Sequence, residues 1–483
     1  MTPANREPES GPEPPGPFET ESYTRLLQFP GIAPKAADAS RTSGLPVVDA
    51  IVVPTIRSAE RLRSALRLAE DARCQLVPLY TEGFPDDLTP VLERARPGVT
   101  PLSLPYGMRH EMLDLAARLP QPVMSSSASD ISRKRNLGLL IGRICGWTRM
   151  LFLDDDIRML NADKLSAAAA LLDEYPVVGL QVNRYPDASV VGHARRLIER
   201  KQRPFISGGS LLVNPQAVQG YFPPVYHEDW LCVMNHLRLG QVAVGGTVGQ
   251  LNYKPFTPQR AMLEEYGDIL AAGLLWLVCI NKQTSTMNPA VDDISSVAAF
   301  RDFCNEATGA QFWANILSQR SMVLDTIYRI LEQRYKKASS PLRAIEAAQW
   351  RRGELRPADF VSFTEKWLNS LVEWQARLSG LPRADSVMKA LTELGLSHVV
   401  RAPEARGPGS RVAETGTLRR ALTRRRSAGA FRARRWPAVV RAAEWAATRR
   451  PFERAMHGGL LSVSRRVSER IRGDSGVSGV SGG

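Results

Sequence analysis

The chain reads as an α/β protein in which a mostly parallel β-sheet, flanked by helices, is followed by an α-helical C-terminal region. Three observations predict this. Short β-branched and aliphatic runs alternate with stretches whose apolar residues recur at helical spacing, and strand, helix and strand in alternation build parallel sheets. Two of those runs end in polar clusters, as doubly buried strands do where they reach the surface. From about residue 261 to 400, glycine becomes sparse and apolar spacings of three and four dominate.

Residues 1–45, rich in Pro and Glu, are expected to be a disordered leader and lack the apolar stretch of a signal peptide. Pro46 to Pro54 reads as the first strand, and Ser58 as a plausible N-cap for a helix that carries Leu62, Leu66, Leu68 and Ala69 to about Ala72. Gln75 to Tyr80 is a second strand. Helices are expected around His110 to Leu119 and from Ile131 to Cys145, leading into the strand Met150 to Leu153. Leu211 to Val213 is a further strand, and Trp230 to Leu239 a helix. The C-terminal helices are expected at Ala261–Ile280, Val297–Glu306, Gln311–Tyr335, Pro341–Arg351 and Ala358–Leu378. Their tryptophans, Trp276, Trp313, Trp350, Trp367 and Trp374, suit a core at helical spacing better than a sugar subsite.

Asp154, Asp155 and Asp156 follow the run Met150-Leu151-Phe152-Leu153, where three carboxylates repel one another unless a cation or hydrogen-bond donors hold them. Mg²⁺ or Mn²⁺ suits such a site, because either ion is commonly held by one or two carboxylates with substrate phosphates and waters completing the octahedron. In an extended segment Asp154 and Asp156 would share a face and Asp155 would point away. Thr55-Ile56-Arg57 also follows a strand, and ligands of open parallel sheets gather beyond the strands' carboxyl ends. Both clusters can therefore face one crevice.

Arg133, Lys134 and Arg135 open the helix before the acidic triplet, where a helix N-terminus and a guanidinium both favour an anion; a solvated basic cluster is the alternative, for Arg133 and Lys134 above all. Ser207-Gly208-Gly209-Ser210 either lets a substrate approach the backbone or forms a tight turn. Glu228 and Asp229 either cap the following helix or accept a proton, and His227 beside them reads as a satisfied wall residue.

The ordered segments VVDAIVVPTIR, ISRKRNLGLLIGRICGWTRMLFLDDDIR, FISGGSLLVNP and YHEDWLCVMNHLRLG resemble the GT-A glycosyltransferases, most closely those of the family 2 type, over about residues 46–255. The resemblance implies a Rossmann-like fold and a metal-dependent transfer of a sugar from a UDP- or GDP-sugar to a hydroxyl acceptor, with inversion. It makes Asp156, with Asp154, the metal contacts; Asp154 also a partner of the ribose or sugar; Thr55, Arg57, Arg135 and Asp155 donor-binding residues; and Asp229 the base, with Glu228 beside it. The second strand departs from the pattern, since Leu79-Tyr80-Thr81-Glu82-Gly83 lacks the usual Asp, leaving Glu82 as a guess for base recognition. Tyr253 and Lys254 stand where some relatives have a histidine near the phosphates. Two rival readings are a sugar-nucleotide nucleotidyltransferase and a non-catalytic module that binds sugar nucleotides or polyanions.

The expected domains are thus a leader (1–45), a GT-A domain (46–260), a helical accessory region (261–400) and a basic tail (401–483). Residues 401–483 hold 19 Arg, no Lys and 6 acidic residues, so they carry +13 of the chain's net +14. This tail is expected to be disordered, and its Arg clusters interleaved with Trp and Phe would suit an anionic membrane if the acceptor is lipid-linked, or an acidic polymer; nucleic acid is the less favoured partner. The longest apolar run, Ile269 to Ile280, falls short of the roughly 20 residues a membrane span needs. Five unpatterned cysteines point to reduced core thiols and a cytoplasmic protein, peripheral at the inner membrane face if the tail binds lipid.

Overall fold

Alternation across a pleated strand sorts the run Ala50–Pro54 (β1) onto two faces: Val52 enters one apolar core, while Ile51 and Val53 enter the other. Met150–Leu153 (β4) divides in the same way, with Phe152 on the first face and Leu151 and Leu153 on the second. The computed structural model describes residues 26–30, 48–93, 98–120, 126–158, 160–183, 188–199, 206–284, 296–336, 338–396 and 399–401. The expected leader, apart from residues 26–30, and the basic tail, apart from Arg401, lie outside the described residues.

The other strands are Gln75–Thr81 (β2), Leu102–Leu104 (β3), Ile157–Arg158 (β5), Val177–Asn183 (β6), Ile206–Val213 (β7), Val242–Gln250 (β8) and Val400–Arg401 (β9). They form one sheet of order β5-β8-β6-β7-β4-β1-β2-β3-β9. β1 pairs in parallel with β2 and β4, β2 with β3, and β6 with β8, whereas β7 is antiparallel to both β4 and β6. Edge strands β5 and β9 are antiparallel to their neighbours. Six of these nine strands therefore point the same way, in line with a mostly parallel α/β sheet.

Helices cover both faces. Arg63–Ala72 and Ala162–Ala170 lie on the Ile51 side, and Ser126–Ile144 packs on the Phe152 side. An added Cβ at Gly138 would come within 2.9 Å of Val52 and 3.1 Å of Phe152, so this glycine lets the helix sit close to the sheet. The first helix does not use Ser58 as a side-chain cap; the carboxylate of Asp87 accepts from Ala59 N (3.0 Å) and Glu60 N (3.2 Å) instead.

The C-terminal helices are Pro258–Thr284, Val297–Phe303, Ala310–Arg334, Ser340–Glu354 and Pro357–Leu378, close to their expected positions. All but Ser340–Glu354 share the Phe152-side core, where Trp313, Trp367 and Trp374 are fully buried and Trp313 stacks on Phe360 at 4.8 Å; Ser340–Glu354 packs in a third core with Leu324, Ile327 and Leu331 and with the helix Val190–Glu199. These three rings are core residues. Among the described residues no helix is long and apolar enough to cross a membrane.

Candidate active site

β1 ends where Thr55 and Arg57 meet the acidic triplet. Thr55 Oγ1 donates to Asp155 Oδ2 at 2.5 Å, and Arg57 Nη1 bonds Asp155 Oδ1 and reaches Asp156 Oδ2 at 3.3 Å. Asp156 Oδ1 also accepts from Gln250 Nε2 at 3.5 Å, and its carbonyl from Leu251 N at 2.9 Å. The expectation that Asp155 points away from a face shared by Asp154 and Asp156 is not met. β4 stops at Leu153, and Ile157 N donates back to the Asp154 carbonyl at 3.1 Å, so the triplet is a turn and the two-residue alternation of a strand no longer applies. Asp155 becomes the buried member, tied to β1.

Asp154 turns to the other side. Its backbone N donates to the Gly209 carbonyl (2.8 Å), continuing the β4–β7 ladder by one bond, and its Oδ1 accepts from Arg135 Nη2 at 3.0 Å. Arg135 Nη1 bonds Glu228 Oε1, and Asp229 Oδ2 accepts from Gly208 N at 2.6 Å. An added Cβ at Gly208 would lie 2.5 Å from Arg135 Nη1 and 2.8 Å from Asp229 Cβ, and one at Gly209 would lie 3.0 Å from Asp154 Oδ2. Gly208 leaves the room in which the carboxylates and the guanidinium close on β7, and Gly209 lies at close contact with the Asp154 carboxylate.

One buried cation thus serves three carboxylates. Burial opposes the charge of Arg135, yet Asp154, Glu228 and Asp229 together hold its guanidinium well above its ordinary value. Glu228 is pushed up to about 7 by burial, with Asp229 and Asp154 adding to the rise against the opposing pull of Arg135. A carboxyl near 7 is suited to exchanging a proton at neutral pH.

Asn136, next to Arg135, accepts from Phe222 N and donates to Phe222 O, both at 2.8 Å, while Ser132 Oγ donates to the same carbonyl at 2.5 Å. These bonds pin the segment leading to Glu228. Lys134 is buried rather than solvated: its Nζ donates to Thr55 O (2.9 Å) and to Asp130 Oδ2 (2.6 Å), and burial lowers its pKa against the pull of Asp130. Arg133 is half-buried and bonds Asp114 Oδ1 at 3.1 Å and the Met108 carbonyl.

Glu82 has a left-handed backbone, φ 59°, and its carboxylate accepts from Tyr106 N, while Asp130 is the carboxylate that bonds Thr81 at the end of β2. Asp130 and Gln250 are not among the site residues expected from the sequence; the Asp130/Lys134 spacing of four is a signal for the first, and nothing local marks the second. His227 Nε2 pairs with Asp268 Oδ1 at 3.0 Å. Tyr253 Oη pairs with His193 Nε2 at 2.7 Å, under the guanidinium of Arg260, and Lys254 is exposed.

Among the described residues no three His, Cys, Asp or Glu side chains are grouped to hold a metal ion. The expected pairing of Asp154 with Asp156 as metal contacts does not follow from the geometry, because Asp154 is turned to Arg135; Asp156, 17% exposed, still offers a carboxylate to a hard divalent cation held largely by a substrate.

No protein-family model matches the chain, and no curated protein matches it. Solved structures with a likeness to it include glucosyl-3-phosphoglycerate synthase from Mycobacterium tuberculosis in complex with Mn²⁺, uridine diphosphate and phosphoglyceric acid, at 15% identity over 48% of this chain and 78% of that one, TM-score 0.30. The same enzyme with Mn²⁺, uridine diphosphate and glucosyl-3-phosphoglycerate matches at 15% identity over 48% and 79%, TM-score 0.29. A likeness at this level carries no weight for activity.

Proposed function

We propose that the chain is a GT-A-type glycosyltransferase that moves a sugar from a nucleoside-diphosphate donor to a hydroxyl acceptor. The observation that carries this reading is convergence: residues 55–57, 135, 154–156, 208–209 and 228–229, separated by up to about 170 positions, meet at the carboxyl edge of the sheet, beyond the ends of the central strands β1 and β4. Breaking an anomeric bond leaves negative charge on the departing phosphate and a proton to remove from the acceptor. The edge offers groups for both tasks.

In this reading Arg57 and Thr55 orient the donor through the acidic turn, and Arg135 holds Asp154 and Glu228 in fixed relation. Asp229, aimed by the Gly208 N–H, receives the acceptor proton, with Glu228 as the neighbouring proton store; attack from that side inverts the anomeric centre. Asp156 would hold Mn²⁺ or Mg²⁺ with substrate phosphates and waters, and the ion when bound offsets charge on the diphosphate; Asp154, engaged by Arg135, is left as the partner of the ribose or sugar. The test is a panel of UDP- and GDP-sugars scored for release of the nucleoside diphosphate with Mn²⁺ or Mg²⁺ present. Release that disappears in Asp229→Asn, while UDP or GDP still raises the unfolding temperature of that variant, is the expected result. Silence across the panel, or full activity in the variant, overturns the reading.

A further inference from the structure

His227, immediately before Glu228 and Asp229, has a left-handed backbone at φ 65° and ψ 33°. Such a conformation is uncommon for a residue with a side chain and persists only where its surroundings enforce it. Two neighbours on the helix Pro258–Thr284 do so. At Gly267 an added Cβ would lie 2.3 Å from the Tyr226 carbonyl oxygen and 2.8 Å from its backbone N, so only glycine lets the helix lie against that peptide. The next residue, Asp268, takes the His227 ring through Oδ1 at 3.0 Å.

Asp268 is itself fixed from behind. Its Oδ2 accepts from Arg320 Nη2 (2.6 Å) on the helix Ala310–Arg334 and from Ser189 Oγ (3.0 Å). Arg320 in turn grips Glu265 through two bonds of 2.8 and 2.7 Å, with both side chains almost wholly buried. The Tyr226 and His227 rings lie 4.2 Å apart between centroids, so the turn is packed as well as bonded.

We propose that Gly267, Asp268 and Arg320 form a clamp on the Tyr226–His227 turn, which makes His227 a positioning residue that sets where Glu228 and Asp229 stand relative to Arg135 and Gly208. The C-terminal helices then act on the site itself, beyond bracing the sheet. This rests on Glu228 and Asp229 being the acceptor-side carboxylates.

The experiment uses the full chain, with steady-state turnover on the best donor and hydrogen exchange over residues 226–232. Gly267→Ala should lower kcat at least tenfold, leave the donor KM within about twofold and speed exchange in 226–232. His227→Gly relieves the backbone strain, so it keeps the fold, yet it should show the same split because the ring contact is gone. Gly273→Ala, on the same helix as Gly267, is the control: its Cβ would lie 2.6 Å from the ring of Trp313 on the helix Ala310–Arg334, so it should lower the unfolding midpoint without changing kcat per folded molecule. Wild-type kcat or unchanged exchange in Gly267→Ala and His227→Gly, or an equal loss of kcat in Gly273→Ala, overturns the clamp. A wild-type chain silent on every donor fails the glycosyltransferase reading separately, and the exchange measurement then still decides whether the clamp exists.

Discussion

Replacing Arg135 by Met removes the one cation shared by Asp154, Glu228 and Asp229 while keeping most of the side chain's length. Removing one partner of a buried pair costs about 3–5 kcal/mol, since a buried carboxylate is left uncompensated. The Arg135 side chain is only 3% exposed, whereas Asp154, at 23%, can regain water, so the lower part of that range, about 3 kcal/mol, is the expected mean. The pH dependence is sharper than the mean. Glu228 rises from 4.5 to about 7 on folding, and a carboxyl raised in this way contributes stability below its unfolded pKa and loses it as pH climbs through the folded one. Without Arg135 the Glu228 carboxyl rises further, so the penalty must grow between about pH 5, where Glu228 is protonated in both proteins, and pH 8, where only the wild type can ionise it against a cation. At about 1.4 kcal/mol per unit, the excess at pH 8 is on the order of 1–2 kcal/mol. Urea unfolding followed by tryptophan fluorescence at both pH values measures it, and contributions common to both proteins cancel in the difference. A penalty that is equal at the two pH values, or larger at pH 5, would refute the shared-cation account.

Gly208→Ala should destabilise the fold by about 1–3 kcal/mol in urea titrations, because its Cβ would sit 2.5 Å from Arg135 Nη1 inside a closed cluster. Asp155→Asn weakens the link to Thr55 and Arg57, and we expect the donor KM to rise roughly tenfold, the equivalent of about 1.4 kcal/mol, with kcat changed less. Asp156→Ala should abolish the additional thermal stabilisation that Mn²⁺ gives in the presence of UDP or GDP; persistence of that increment would remove Asp156 from the metal site.

Much of the architecture was readable because it is local. The apolar runs of β1, β2 and β4 and the spacing of the C-terminal helices are periodic patterns, and periodicity is what a one-dimensional string records. What escaped depends on pairing across distance. Nothing near Ile206–Val213 shows that this strand runs against β4, about 60 residues earlier, and nothing near Val400 shows that it closes the edge beside β3. The acidic triplet was legible as a cluster of charge but not as a turn, and that one difference exchanged the places of Asp155 and its neighbours. Lys134 looked like a solvent-facing charge because its acceptors, Thr55 and Asp130, come from a strand end and from its own helix. Asp268 and Arg320 lay in a region read only for its helical rhythm, where charged residues ordinarily signal an outer face.

The reversed course of β7 separates the two halves of the site along the chain. Because that strand begins at the edge where its neighbour β4 ends, the chain leaves it at Val213 on the opposite rim and must travel back through residues 214–227 before delivering Glu228. The contacts attributed to donor and acceptor are therefore carried by separate stretches joined by a return path. Residues 220–225 of that path are buried and Phe222 is held by Asn136 and Ser132, so a change in its length would displace Glu228 and Asp229 while leaving Thr55, Arg57 and the acidic turn in place.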